Sequence, residues 1–244
     1  MRLRGRFLVT GASRGIGAAT ARAVAEVGGE PVLHYGTGRD EAHALARDLG
    51  VPEGDVLGAD LAAPGAGGRL VAAAGALSGL VNNAGIYAAS PLAASDADWA
   101  DVWARTLAVN LQATADACRA AIRAWENSSG GVIVNVASRA GQRGDGPDHS
   151  AYAASKGGVI ALTKTLARAH AGDGVRLYAV APGWVATRMA QRDPDEMARQ
   201  SAEVPLGRFA APEEVAALTV FLLSDACPSA TGATFDVNGA SYVR

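Results

Sequence analysis

Short apolar runs alternate along the chain with longer stretches whose apolar residues recur every three or four positions, the patterns of buried strands and amphipathic helices. Residues 7–10 form the first run and predict a strand. The glycine cluster 11–17 after them opens an alanine-rich helix that stops near Gly28 and Gly29. A second strand is predicted over 31–35 with a helix over 40–49, a third strand over 55–59, and a fourth over 77–82 after a short helix. The stretch from Asp96 to about Trp125 reads as one long helix capped by Ser95 or Asp96. A β-branched run at 132–137 predicts the fifth strand, 151–171 a helix and 175–181 the sixth strand. Pro and acids at the start of 212–223 suit the N-terminal turn of another helix, and 234–237 is expected to close the sheet.

Strands spaced by helices of this length imply βαβ units and a parallel sheet, so the predicted class is α/β. The 244 residues suit one such domain, 1–244, since no linker-like shift in composition and no internal repeat divides them. The polar, Gly- or Pro-containing segments 141–150 and 188–206 are the expected soft loops.

Composition narrows the function classes. A net charge of -2 argues against nucleic acid, whose ligands carry a concentrated basic face. Cys118 and Cys227 are too few for a disulfide framework, and His34, His43, His149 and His170 show no metal-ligand spacing, so no metal is expected. His149, in the 141–150 segment, is the one histidine to watch near a site. Residues 1–10 lack a signal-peptide core, and no apolar run is long enough to cross a bilayer. The expectation is a soluble cytoplasmic protein with no membrane partner. Two counts stand out: 55 alanines, which favour helices, and two lysines, Lys156 and Lys164, beside 20 arginines.

Candidate chemistry begins at Thr10–Gly17, TGASRGIG, a strand-to-helix junction with glycines at 11, 15 and 17. Missing side chains there let backbone N–H groups and the helix N-terminus approach a pyrophosphate. An NAD site usually places an acid at the end of the second strand to bond the ribose 2′-hydroxyl. Here that end reads His34-Tyr35-Gly36-Thr37-Gly38-Arg39, without an acid before Asp40. Arg14 inside the glycine turn and Arg39 beyond the strand offer guanidinium forks suited to a 2′-phosphate. NADP(H) is therefore the expected cofactor, with NAD(H) the alternative.

Tyr152 and Lys156 are four residues apart on an alanine-rich helix, so their side chains project from one face. An adjacent ammonium stabilises a phenolate and would bring the tyrosine pKa from about 10 toward a working range. The same spacing also occurs on ordinary solvated helix faces; the scarcity of lysine singles this pair out. Ser138, at the end of the fifth strand, lies at the carboxyl edge where doubly wound sheets bind ligands, and its hydroxyl could bond a carbonyl oxygen. Asn110 sits mid-helix, where an amide has mediocre propensity.

These residues, taken in order, resemble the short-chain dehydrogenase/reductase family, closest to its 3-oxoacyl-acyl-carrier-protein reductase branch. The landmarks are TGASRGIG, Asp60-Leu61, Asn82-Asn83-Ala84-Gly85, Asn110 in VNLQA, Ser138 in VASRAG, YAASK at 152–156, and Pro182-Gly183 with Thr187 in PGWVAT. The resemblance implies a Rossmann-type doubly wound sheet of seven strands and an Asn–Ser–Tyr–Lys tetrad at 110, 138, 152 and 156. In that scheme Tyr152 transfers the proton, Ser138 polarises the carbonyl, Lys156 bonds the nicotinamide ribose and Asn110 helps hold a relay water. It further implies a cofactor path along Gly11, Ser13, Arg14, Gly15, Ile16 and Gly17, then Thr37, Arg39, Asp60 and Leu61. The path continues past Asn83, Ala84 and Gly85 to Pro182, Gly183, Val185 and Thr187.

Departures from the family pattern are a short 63–80 stretch, one extra residue between Ser138 and Tyr152, and Asn238 and Ala240 in place of a usual Asp and Gly. Trp184 and the segment 189–204 are expected to shape a lid over the substrate. The function expected is reduction of a ketone or 3-oxoacyl carbonyl to a secondary alcohol, with small-molecule carbonyl or acyl-thioester substrates. The alternatives are an NAD-dependent alcohol or sugar dehydrogenase and a non-catalytic nucleotide-binding regulator. Small residues along 151–171, together with the resemblance, imply a homotetramer or homodimer.

Overall fold

The computed structural model describes residues 2–126, 128–188 and 194–243. Seven strands form one sheet: β1 (Arg6–Val9), β2 (Glu30–Tyr35), β3 (Val56–Gly58), β4 (Gly79–Asn82), β5 (Gly131–Val136), β6 (Val175–Pro182) and β7 (Thr234–Val237). Their order is β3-β2-β1-β4-β5-β6-β7, and all six pairings are parallel. The order reverses between β1 and β4, where Val9 pairs with Leu33 on one side and Val81 on the other. A crevice at such a reversal is where open α/β sheets hold ligands.

Helices cover both faces, which is why the strands are apolar at nearly every position rather than at alternate ones. Successive residues still point to opposite sides. Leu8, Leu80, Ile133 and Leu177 pack with Leu70, Ala117 and Ile122, contributed by α3 (Ala66–Ala74) and α5 (Ala113–Ala124). Their neighbours Val9, Val81, Val134 and Tyr178 face the other way, against Val24, Leu45 and Leu222 from α1 (Gly15–Glu26), α2 (Arg39–Leu49) and α9 (Pro212–Leu223).

The long helix expected from 96 to about 125 runs as α4 (Asp96–Leu107), a π-helical turn over Ala108–Gln112, and α5. Of the two candidate caps, Ser95 is the one used: its hydroxyl accepts from the Asp98 N–H at 3.2 Å. Both expected soft loops contain helix. A short α6 (Ala140–Arg143) overlaps the first, followed by the long α7 (Ser150–His170), and α8 (Pro194–Ala202) occupies the second. Of the expected lid, residues 189–193 lie outside the described residues. Ala240, flagged as replacing a usual glycine, has φ 65°, the one non-glycine residue with positive φ among those described.

Candidate active site

The carboxyl ends of β1, β4, β5 and β6 open into one groove of about 880 Å³. At one end lies the glycine turn. Gly11 and Gly15 have φ of 66° and 57°, which side-chain-bearing residues rarely adopt. A Cβ at Gly17 would stand 2.2 Å from the Gly11 carbonyl oxygen, so the turn closes only over a glycine. Thr10 and Asn83 hold this shape: Asn83 donates to the Thr10 and Gly11 carbonyls at 2.9 and 3.2 Å, while the Thr10 hydroxyl accepts from the Asn83 and Ala84 N–H groups. Asn83 therefore braces the turn, and Ala84 and Gly85 line the groove beside it.

His34, which sequence reasoning passed over, completes the brace from β2. Its Nδ1 accepts from the Gly11 N–H at 3.1 Å and its Nε2 faces the Ala59 carbonyl at 3.1 Å, which fixes the neutral Nε2–H tautomer. Burial lowers its pKa, against a smaller upward pull from that carbonyl. Two neighbouring facts fit the turn to a pyrophosphate: no side chain caps the N-terminus of α1, and no acid occupies its first turn. The helix thus presents free N–H groups and an unopposed positive dipole end to the groove.

Beside this turn, Arg14 donates to the Thr37 hydroxyl at 3.3 Å, so the two candidates form one polar wall with Ser13 and Ile16 nearby. Glu41 intrudes on it, 4.0 Å from Arg14 and 3.5 Å from Arg188. Arg39 is not part of the wall. It lines a separate shallow depression with Asp40, His43, Arg47 and Glu53, because the first turn of α2 points it away from the groove. Asp60 and Leu61 line the groove further along, with Arg105 4.0 Å from the Asp60 carboxylate. Pro182, Gly183, Val185 and Thr187 form the opposite bank, and Thr187 rests against Gly15.

Ser138, Tyr152 and Lys156 gather at the other end of the groove. The Ser138 oxygen accepts from the Ala140 N–H at 3.1 Å, which leaves its own O–H free to donate. Lys156, buried on α7, donates to the Val136 carbonyl at 2.8 Å. Burial drives its pKa down to about 8. Burial also drives the Tyr152 pKa up to about 12, with the Ser138 hydroxyl pulling it down and Asp145 pushing it up. The Lys156 ammonium is turned to the Val136 carbonyl and is not among the groups that shift the Tyr152 pKa in this geometry.

Asn110 does not line the groove. It is buried in the π-helical turn, where its amide accepts from the Ile86 N–H at 2.8 Å and donates to the Ile86 carbonyl and the Ser155 hydroxyl, each at 3.0 Å. Both amide protons are spent, so this side chain fixes the Gly85–Ile86 segment that follows β4 against α7.

The groove also holds residues with no sequence signal. Tyr87 meets Tyr152 edge to face at 4.7 Å, stacks on His149 at 3.9 Å and approaches Trp184 at 6.5 Å. Trp184 stacks on Phe209, and the Arg139 guanidinium lies over the Trp184 ring. His149 is the histidine singled out near the site and Trp184 part of the expected lid; Tyr87, 65 residues before Tyr152, carries no motif, and Arg139 lies inside VASRAG without a role assigned to it.

A glycine turn at the reversal of a doubly wound sheet, leading to a Tyr–Lys pair whose lysine is buried, defines a dinucleotide-dependent oxidoreductase. A family model described as Enoyl-(Acyl carrier protein) reductase matches residues 11–240. The chain is 38% identical over 245 residues to 2-(S)-hydroxypropyl-CoM dehydrogenase 3 of Xanthobacter autotrophicus, covering 95% of this chain and 94% of that one. It is 38% identical to D-threitol dehydrogenase of Mycolicibacterium smegmatis over 97% of this chain and 92% of the relative. With the 3-oxoacyl-acyl-carrier-protein reductase of Staphylococcus aureus it shares 33% identity over 97% of both chains. The chain belongs to the short-chain dehydrogenase/reductase family and is an NAD(P)-dependent oxidoreductase. Among the described residues no helix is long and apolar enough to cross a membrane, and no cluster of His, Cys, Asp or Glu has metal-binding geometry.

Proposed function

We propose that this protein uses NADPH to reduce a ketone or 3-oxoacyl-type carbonyl to a secondary alcohol, with Tyr152 as the proton donor. The observation that carries the reading is the convergence of Ser138, Tyr152 and Lys156 on one end of a groove whose other end is the glycine turn. The relative named as a 3-oxoacyl-acyl-carrier-protein reductase supports the substrate class, and the Arg14–Thr37 wall supports the 2′-phosphate.

When bound, the reduced nicotinamide supplies a hydride, one proton and two electrons, to the carbonyl carbon and is left oxidised. Ser138 donates its O–H to the carbonyl oxygen, polarising the bond. Tyr152, protonated at neutral pH, passes its phenolic proton to that oxygen as negative charge develops on it. Lys156 keeps two donors beyond the Val136 carbonyl and offers them to the cofactor ribose and to the phenolate that forms. Asn110 holds the groove edge through Ile86, a positioning role.

A second reading, an NAD-dependent alcohol or sugar dehydrogenase working in the oxidative direction, draws on Glu41 beside Arg14, since an acid repels a 2′-phosphate. Two relatives are named as dehydrogenases, which supports the oxidative direction too. Cofactor consumption across ketones, 3-oxoacyl thioesters and quinones separates the two. Turnover of NADPH with a carbonyl is expected, together with a loss of about a thousandfold in kcat in Tyr152→Phe at unchanged cofactor affinity. Retained turnover in that variant would overturn the assignment.

A further inference from the structure

Arg139 follows Ser138 directly, and its backbone N–H is tied to the Pro182 carbonyl at 2.9 Å, so it is fixed where β5 and β6 meet the groove. Its side chain is 5% exposed, yet it lines the same groove as Ser138 and Tyr152. A buried guanidinium normally sits on a carboxylate, because an uncompensated charge is costly to remove from water. Arg139 has none. Among the described residues its side chain makes one hydrogen bond, from Nη1 to the neutral Ser241 hydroxyl, and no ion pair. The Trp184 face, 5.5 Å below the guanidinium carbon, offers only the partial compensation of a ring quadrupole.

The surrounding charges do not fill the deficit. Burial, then the like charge of Arg143, pulls the Arg139 pKa below the ordinary arginine value, and Asp145, Glu203 and Tyr87 pull it up. The two carboxylates act from beyond ion-pair distance. None of the Arg139 nitrogens is both sealed in the interior and unbonded, and the residue lines the groove. The result is a planar donor fork with the Trp184 ring below it and Ser241 at one edge, carried by the residue next to Ser138.

We propose that Arg139 is a specificity residue that receives the carboxylate of an acidic carbonyl substrate, so that the enzyme reduces oxo acids in preference to neutral ketones. This rests on the reductase reading above. A carboxylate matches the guanidinium fork in shape and takes two parallel N–H bonds, which a neutral ester or amide cannot equal. Tyr87 and Trp184 would flank the carbon skeleton between the fork and Tyr152. The bonds made and broken are those of the reduction already described, and the carboxylate takes no part in them.

The test measures kcat/KM with NADPH for 2-, 3- and 4-oxo acids and for their methyl esters, in the wild type, Arg139→Met, Arg139→Lys and Ser241→Ala. Binding of the same acids to the NADPH-loaded Tyr152→Phe variant is followed by quenching of tryptophan fluorescence. The wild type is expected to favour one acid over its ester by about 100-fold, the scale of a charge-assisted hydrogen-bond pair. Arg139→Met should erase that ratio through the KM of the acid, Arg139→Lys should restore part of it, and Ser241→Ala, which removes the one hydrogen bond on the guanidinium, should lower it only in part. Because the ratio compares two substrates on one protein, a partly unfolded variant does not alter it. An acid-to-ester ratio near one in the wild type, or a ratio untouched by Arg139→Met, overturns the assignment while leaving the reductase reading intact. Arg139-dependent quenching by an oxo acid without any turnover would support the anion site and overturn the reductase reading instead.

Discussion

The Lys156 ammonium lies 5.8 Å from the centre of the Tyr152 ring and is bonded to the Val136 carbonyl rather than to the phenol. Lys156 is buried and Tyr152 half-buried, and desolvation moves both away from charge: the lysine down to about 8, the tyrosine up to about 12. On the proposed mechanism the phenol thus starts protonated, as a proton donor must, and any lowering of its pKa would come from charges that arrive with the cofactor.

This arrangement gives a stability signature. Below about pH 8 the buried ammonium is charged in the folded protein and costs about 3 kcal/mol relative to its unfolded pKa. Between about pH 8 and the ordinary lysine value the unfolded chain keeps a proton that the folded one has lost, so stability rises with pH across that window. The tyrosine acts in the opposite sense above about pH 10, where the unfolded phenol ionises and the folded one does not. Urea unfolding of the ligand-free wild type and Lys156→Met at about pH 7.5 and about pH 9.5 isolates the lysine. The wild type should gain about 2 kcal/mol on the variant over that interval. A constant difference would mean that Lys156 titrates normally.

On the proposed reading, cofactor choice turns on the opposition of Arg14 and Glu41 across 4.0 Å. Arg14→Ala should lower the preference for NADPH over NADH, in kcat/KM, by about tenfold, the loss of a charge-assisted phosphate contact at a half-exposed site. Glu41→Gln removes the opposing carboxylate and should raise the preference by about threefold, on the scale of exposed charge pairs. Arg39→Ala should leave the preference as it was, because Arg39 faces another depression. Steady-state kinetics with both cofactors decides each case, and an Arg14→Ala variant with unchanged preference would sink the electrostatic reading.

The contrast between Arg14 and Arg39 shows how far sequence reached. Both were read as phosphate ligands from their distance to a strand end. Arg14 is fixed by a glycine turn whose geometry is local, whereas the direction of Arg39 depends on how the first turn of α2 settles on the sheet. The strands and their parallel pairing were legible because both faces of each strand are buried and leave unbroken apolar runs. The helices α6 and α8 were not, being short, polar and held by tertiary packing rather than by a periodic apolar stripe. Ser138, Tyr152 and Lys156 carry local spacing. Tyr87 joins them only through the fold, Arg139 stands next to Ser138 but its side-chain direction depends on Trp184 and Ser241, and His34 reads as an ordinary strand residue although the Gly11 N–H points at it.

Asn110 marks the boundary between legible position and illegible role. Its place in the π-helical turn lets one amide hold the Ile86 N–H, the Ile86 carbonyl and the Ser155 hydroxyl together. Ser155 in turn donates to the Tyr152 carbonyl at 2.7 Å, so the amide also steadies the turn of α7 that carries the tyrosine. Asn110→Leu keeps the volume and leaves those buried groups unpaired, which should cost about 3 kcal/mol of unfolding free energy. Asn110→Asp retains the acceptor for the Ile86 N–H but loses both donors, and should cost less at the Ile86 N–H than at the other two groups. In both variants kcat should fall by more than the change in cofactor affinity, since Tyr152 loses its support while the glycine turn, on another strand, keeps its own. Denaturant titration alongside kinetics at a temperature where each variant is folded reads the two effects separately. Equal losses in kcat and in cofactor binding would mean that Asn110 shapes the whole groove rather than the end occupied by Tyr152.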